Sequence, residues 1–485
     1  MKNYACPDSV GPVDEKGRNS GRRFQGMKAS GICIDVHALE YRLKTFVIIG
    51  GGASGVLIAA QLLSHPSTEK VTVVERGELL GAGVAYGTEN PGHLLNVPAA
   101  GMSAFPDKPQ HFLDWLAGEK RWMPVGGWTP GTFVPRRLYR DYVAGLLAPH
   151  REDRTQGRLA VIRDEAVDVV ETPEGVEVTT KSAGRFEADA AILATGNEGP
   201  VLRPAKWRHD FWSTRSTFKI PREASVVIVG TGLSMIDSVV SLLDAGHSGN
   251  ITAISRRGLL PQPHGPCKAV RFEAAEIPFG SSLSRLLHWL RGRIAANQGD
   301  WRGVVDGLRP FTQRLWQSFP PVEKRRFLRH ARPWWDVHRH RMAPQVRGRI
   351  DAAAASGQLT VTSGRLAGVD EADNGVRVSF VPRGSSVVET MPVQHMIECR
   401  GHNADLSTTR SPLLQNLLSR GIIRQDALRL GVDVAPGCAV IDAQGNTSDR
   451  IFAVGPVTTG AFWEIVAVPD IRQQARTLAA ALAHP

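Results

Sequence analysis

The sequence predicts an α/β fold in which one β-α-β plan occurs twice, with the second copy set inside the first. Three observations carry this. Two short apolar strands, at residues 45–49 and 224–229, each run into a G-x-G turn and then an apolar helix. Each plan continues into a meander of strands. Each then closes on a strand ending in glycine, at Thr195-Gly196 in the first copy and Arg400-Gly401 in the second. The 485 residues are 42% apolar and 22% charged, with 49 glycines, which suits a globular enzyme and excludes a collagen-like, coiled-coil or mostly disordered chain.

Residues 1–44 lack the apolar stretch of a signal peptide and are rich in Gly, Ser, Lys and Arg, so they read as a flexible, solvated N-terminal tail, with Met27 a second candidate start. The strand 45–49 then meets Gly50, Gly52 and Gly55 in G-x-G-x-x-G, followed by a helix over 56–63. The first glycine makes the tight turn, the second lets the backbone approach a pyrophosphate, and the third lets helix and strand pack closely. The helix N-terminus offers its free N–H groups to the phosphates. A second strand, 71–74, ends at Glu75, 20 residues after Gly55, where a dinucleotide fold places the acid that holds a ribose hydroxyl pair. That pattern suits FAD or NAD.

The second copy has Gly230 and Gly232 but Met235 at the third glycine position, then a helix over 236–243 and a strand over 251–254. Ser255 stands 25 residues after Gly230, as Glu75 does after Gly50, and Arg256 and Arg257 follow it. A carboxylate there repels a 2′-phosphate, whereas Ser and Arg bind one. The second unit therefore reads as NADPH-selective; the alternative is a surface arginine pair on an NADH site. Strands expected at 159–170, 176–180 and 188–194 complete the first copy, and strands at 359–361, 376–381 and 391–397 the second. The predicted architecture is two nested Rossmann-like dinucleotide-binding domains. The first comprises residues 45–204 and 404–485. The second, residues 205–403, contains a helical insertion over 266–350.

The insertion is basic and tryptophan-rich, with Trp289, Trp301, Trp316, Trp334 and Trp335 among a series of arginines that ends at Arg347 and Arg349. Leu283, Leu286, Leu287 and Leu290 recur at helical spacing. Three readings stand: a packed lid with solvated arginines, a cradle for substrate or NADPH phosphate, and a nucleic-acid surface, for which Arg beside Trp is suitable chemistry although no known module is visible. The net charge of +11, from 58 Lys and Arg against 47 Asp and Glu, admits all three. The five cysteines include no C-x-x-C, which argues against a dithiol centre, a disulfide framework or a cysteine zinc site and for a reducing, cytoplasmic setting. His338 and His340 fit a structural role better than a metal site. No apolar run has the length of a membrane span.

The two G-x-G motifs, Ala194-Thr195-Gly196 and the late strand ending at Val454-Gly455 together resemble the two-dinucleotide-binding-domain flavoproteins of glutathione-reductase-like fold. Finer features look like a bacterial group of FAD/NAD(P)-binding proteins: H-L-L-N-V-P-A from His93, F-V-P-R from Phe133, I-S-R-R-G-L-L-P from Ile254, W-D-V-H-R-H-R from Trp335 and G-A-F-W-E-I from Gly460. The chain also resembles the class B flavin monooxygenases, amine N-hydroxylases in particular, in the stretches from Pro106 to Leu116 and from Pro135 to Tyr142. The resemblance implies FAD on the first motif and NADPH on the second. It implies that Asn96 and Met102 lie near the flavin ring and Gly455 near the FAD pyrophosphate. It makes Trp463 and Glu464 candidates for the flavin side, and His264 a candidate approaching the flavin from the NADPH side. Two departures stand out: Gly455 is followed by Pro456 where an aspartate is usual, and the fingerprint of ketone monooxygenases is absent.

The activity these features imply is hydroxylation of a small nucleophilic substrate, an amine or amino acid, by O2 through a flavin C4a-hydroperoxide. The substrate is a small molecule, amine-bearing or acidic, and a homo-oligomer is left open. The alternatives are an NADPH:acceptor flavin reductase without oxygen insertion, and a basic flavoprotein that binds nucleic acid or a protein partner.

Overall fold

A computed structural model describes residues 43–152, 157–200, 206–211 and 219–483. The expected tail, Met27, Cys6, Cys33 and the expected boundary at residue 204 lie outside the described residues.

The first copy of the plan builds a parallel sheet on the expected strand Lys44–Ile49. Its neighbours are Thr68–Val74 on one side and Ala190–Leu193 on the other, all in parallel. Leu159–Ile162 extends one edge, and Thr447–Ala453, returning from the C-terminal part of the chain, extends the other. Strands buried on both faces read as unbroken apolar runs, which is what Phe46, Val47, Ile48 and Ile49 show. The helix Ala53–Leu63 covers one face together with the C-terminal helix Val468–Ala483; Val56, Leu62, Ile471 and Leu478 share one core.

The second sheet repeats the design. Val226–Val229 lies between Ile251–Ser255 and His395–Glu398, with Leu359–Ala372 next to Ile251–Ser255, all parallel. The helix Leu233–Asp244 starts directly after Gly232.

Both copies differ from expectation at their meanders. The single strand expected over 159–170 is two, Leu159–Ile162 and Ala166–Glu171, in different sheets. Asp164 bends the chain between them: its carboxylate accepts from the N–H groups of Glu165, Ser182 and Ala183. In the second copy Leu359–Ala372 is unbroken, pairing in parallel with Ile251–Ser255 at its start and antiparallel with Gly375–Pro382 further on. The expected last strands also split at one residue each. Asp189 separates Arg185–Ala188 from Ala190–Leu193, and Gln394 separates Glu389–Val393 from His395–Glu398. Each of these residues turns back onto the first strand of its own unit, Asp189 accepting from Thr45 N–H at 2.7 Å and Gln394 from Ser225 N–H at 2.8 Å.

The stretch 266–350 is helical, as expected, with Leu283–Ala296, Trp301–Leu308 and Arg332–Arg339 among its elements. Its own core holds Phe272, Ile277, Val304, Leu308 and Leu315. Its expected end at residue 350 needs correction. The helix Pro344–Ala355 puts Val346, Ile350 and Ala353 into the core of the second sheet, so it is the crossover helix of that unit rather than part of the lid.

Candidate functional site

Each G-x-G turn is fixed by one close approach. A Cβ on Gly50, whose φ is +110°, would stand 2.3 Å from the Ala194 carbonyl oxygen. A Cβ on Gly230, at φ +117°, would stand 2.3 Å from the Cys399 carbonyl oxygen. In both copies the turn therefore packs against the end of the strand that closes the unit, and only glycine fits.

The first turn presents a cradle suited to a dinucleotide. No side chain caps the helix Ala53–Leu63 at Gly52, so its first N–H groups are left to a ligand. Glu75 is anchored at the mouth, accepting from Gly51 N–H and Gly77 N–H, each at 2.6 Å. Gly455, at φ +74°, comes from the far end of the chain to meet Ser54; a Cβ there would be 2.3 Å from the Ser54 hydroxyl. The Thr195 hydroxyl, beside Gly196, is buried without a partner among the described residues. An orphaned hydroxyl, a free helix end and a glycine brought against it fit a bound FAD. Sequence reasoning missed Gln474, which fixes Gly455 by accepting from its N–H at 2.7 Å. It also missed Gly81 and Gly83: Gly81 N–H donates to the Gly51 carbonyl, and Gly83 stacks on Gly52. The paired glycines of Gly81-Ala82-Gly83 were the available signal.

The second turn is likewise uncapped at Gly232, where a Cβ would meet open space. Ser255 holds the loop that follows, exchanging a hydrogen bond with the Thr231 hydroxyl at 2.8 Å and accepting from Gly258 N–H at 3.0 Å. Arg256 is exposed, and neither it nor Arg257 has a carboxylate partner among the described residues. Two unspent guanidinium groups where the first copy has Glu75 fit a 2′-phosphate.

The motifs H-L-L-N-V-P-A and F-V-P-R pair with each other: Leu95 N–H donates to the Val134 carbonyl and Arg136 N–H to the His93 carbonyl. The pair locks the two units together. Arg136 Nη1 stands 2.8 Å from Asp237 Oδ2, and His93 Nε2 lies 2.8 Å from Ser241 Oγ, both on the helix Leu233–Asp244. Burial holds the His93 pKa below its ordinary value, so it stays neutral. No feature of the sequence marked Asp237 or Ser241 as partners, because an interface between distant helices has no local signature.

The same loop reaches two further elements. The Asn96 carbonyl accepts from His264 Nε2 at 2.9 Å, and the Ser103 carbonyl accepts from Arg472 Nη1 at 2.6 Å, on the C-terminal helix. Burial pushes the His264 pKa down to about 4, so the ring is neutral with its proton on Nε2. Met102 is buried in the core of the first sheet. Trp463 stacks on Trp316 of the insertion at 4.7 Å, and Trp316 Nε1 donates to the Gly460 carbonyl. Glu464 accepts from Trp335 Nε1 and pairs with Arg339 Nε at 3.0 Å. Asn96 and His264 thus meet each other, and Trp463 and Glu464 meet Trp316, Trp335 and Arg339 of the insertion. Ser255, Arg256 and Arg257 stand at the end of the second sheet, and Thr195 and Gly196 line a separate small cleft with Asn403, Pro456 and Val457.

Several arginines of this stretch are paired with carboxylates: Arg332 with Asp336, Arg341 with Asp306, Arg347 with Asp351, and Arg349 with Asp244. Among the described residues no group of His, Cys, Asp and Glu could hold a metal ion, and no helix is long and apolar enough to cross a membrane. Burial raises the thiols of Cys399 to about 12 and Cys438 to about 11, which leaves both unreactive near neutrality.

Residues 47–198 match the model of a family described as FAD-NAD(P)-binding. No curated protein matches the chain. Among solved structures, L-lysine 6-monooxygenase from Pseudomonas syringae is similar at TM-score 0.61 and 16% identity, over 90% of this chain and 99% of that one. The FAD-bound cadaverine monooxygenase of desferrioxamine biosynthesis from Erwinia amylovora is similar at TM-score 0.61 and 12% identity, over 91% and 96%. Ornithine N-hydroxylase from Kutzneria sp. 744, in complex with reduced FAD, NADP+ and L-ornithine, is similar at TM-score 0.58 and 14% identity, over 91% and 99%. These likenesses bear out the expected fold of two Rossmann-type dinucleotide-binding domains.

Proposed function

We propose that this chain is an FAD- and NADPH-dependent monooxygenase that hydroxylates a small nucleophilic substrate, an amine or amino acid. The observation that carries the reading is the contrast at matched positions of the two units: Glu75 ends one ribose strand, and Ser255, Arg256 and Arg257 end the other. FAD belongs at Gly50, Gly52, Gly55, Glu75, Thr195, Gly196 and Gly455. NADPH belongs at Gly230, Gly232, Ser255, Arg256 and Arg257. The chain leaves the first sheet after Leu193 and rejoins it at Ala439, which supports the division into 45–204 with 404–485 and 205–403. Its boundary near residue 204 lies outside the described residues.

Bound together, the two cofactors supply hydride transfer and oxygen activation. The protein's part is to hold them and keep water out. The Arg136–Asp237 pair and the His93 contacts fix the units relative to each other. The insertion, seated on Gly460 and Glu464, covers the underside of the cleft. His264, Trp463 and Glu464 serve there as positioning groups, since each is already engaged by a protein partner. The lysine, ornithine and cadaverine hydroxylases that share the fold support an amine substrate.

An amine, amino-acid and thioether panel tests this, scored by NADPH oxidation and by hydroxylated product. Product equal to NADPH consumed supports the reading. NADPH oxidation that never yields hydroxylated product, under air and with every amine, overturns it in favour of a reductase.

A further inference from the structure

We propose that Arg339 and Arg341 form an anion subsite beneath the helical insertion, which takes a carboxylate of the substrate. The inference deepens the monooxygenase reading and rests on it for the word substrate.

The subsite begins with a backbone pairing. Gln262 N–H donates to the Val337 carbonyl, His264 N–H to Met342, and Met342 N–H to Gln262. This draws the two arginines alongside His264 and so toward Asn96. Both guanidinium groups oppose protonation of His264, which places them within electrostatic reach of its ring.

Both side chains are more than nine-tenths buried, at 8% and 3% exposure. Each spends only part of its fork. Arg339 Nε meets Glu464, and Arg341 Nη2 meets Asp306. Arg339 Nη2, Arg341 Nε and Arg341 Nη1 are closed to solvent and have no acceptor among the described residues. Trp463 Nε1, next to Glu464, is in the same position. Desolvated donors without acceptors destabilise a fold unless a ligand supplies the acceptors. All of these groups donate, so the ligand must bring lone pairs. A planar guanidinium fork matches a carboxylate in bidentate geometry. The 2′-phosphate of NADPH has its own partners in Arg256 and Arg257, which leaves this pair to the substrate. Since the donors are closed to water, the carboxylate enters before the insertion seats on the loop at Gly460 and Glu464.

Glutarate and its neutral diamide, glutaramide, test the subsite on the FAD-loaded protein without any turnover. The readout is tryptophan fluorescence, because Trp335 Nε1 and Arg339 Nε donate to the same carboxylate, Glu464. Glutarate should quench it and glutaramide should not. Arg341→Lys and Arg339→Lys keep the charge and remove the fork, and each should weaken glutarate binding by about tenfold to hundredfold. Arg347→Lys, on the outer face of the crossover helix, should change nothing. The proposal falls if the acid and the amide behave alike, or if both lysine variants bind glutarate normally. It also falls if NADP+ rather than glutarate gives the arginine-dependent quench, since the subsite then belongs to the dinucleotide. Arginine-dependent glutarate binding without any amine hydroxylation overturns only the monooxygenase reading. Amine hydroxylation without arginine-dependent glutarate binding overturns only the subsite.

Discussion

Arg339 Nε donates to Glu464 Oε2 at 3.0 Å across 125 residues of sequence, and neither side chain reaches solvent. Glu464 sits at φ +65°, a conformation that side chains other than glycine seldom adopt. The pair therefore holds a strained loop against the insertion. Removing one member of a buried pair leaves an uncompensated charge, which costs about 3–5 kcal/mol. Arg339→Met should lower the urea midpoint by that order. Arg339→Met with Glu464→Leu should recover much of the loss, because a well-packed apolar pair avoids the buried charge. If Arg339→Met unfolds at the same urea concentration as the unaltered protein, the contact has no role in seating the insertion.

Arg256 and Arg257 form no ion pair with a carboxylate among the described residues, so their replacement should be read in nucleotide choice rather than stability. The double variant Arg256→Ala, Arg257→Ala should lose roughly a hundredfold in kcat/KM for NADPH, as expected when charge-assisted contacts to a phosphate are removed. NADH should barely change. An equal loss for both nucleotides rules out a 2′-phosphate contact.

The repeated plan was legible because each part of it is local: an apolar run, a glycine turn, an apolar helix, a ribose strand at fixed spacing. Gly50 and Gly230 meet the same obstacle, the carbonyls of Ala194 and Cys399, and their sequence neighbourhoods match. The meander breaks were less legible. They depend on whether a side chain such as Asp164 finds N–H groups of a distant turn, here those of Ser182 and Ala183. The motifs at His93 and Phe133 could be recognised as features without their purpose being visible. Their purpose is a contact with Asp237 and Ser241, more than a hundred residues away. The insertion's basic composition was plain in the sequence, but not that Arg309, Arg339 and Arg341 meet carboxylates distant along the chain, Asp470, Glu464 and Asp306.

The third position of the two glycine motifs separates the units. A Cβ on Gly55 would stand 1.8 Å from the Gly50 carbonyl oxygen, a distance no adjustment of side chains relieves. Gly55→Ala should therefore push the first helix off its strand and abolish FAD binding, measured as flavin retained through gel filtration. Met235 occupies the matching position in the second unit, fully buried in that unit's core. Met235→Ala should cost about 2–5 kcal/mol as a cavity while leaving FAD retention intact. Flavin retained by Gly55→Ala at the level of the unaltered protein contradicts the close packing that places the cofactor there.

Acid should destabilise the protein well before its carboxylates titrate. Burial pushes both His209 and His264 from 6.5 down to about 4, with His395 opposing the charge on His209. In the unfolded chain both rings take up protons near pH 6.5; in the folded chain they resist until near pH 4. The neutral rings therefore contribute their full stability above pH 6.5 and lose it progressively as pH falls toward 4. Since both are partly accessible, the loss per ring is on the order of 1–2 kcal/mol rather than the full value of the shift. Urea unfolding between pH 7.5 and 4.5 should show this decline. His264→Gln keeps an N–H donor for the Asn96 carbonyl but cannot charge, so it should flatten the decline by about half if the two rings contribute equally. A slope unchanged by His264→Gln would mean that His264 protonates freely in the folded protein and that its ring is not enclosed between Asn96 and Arg341.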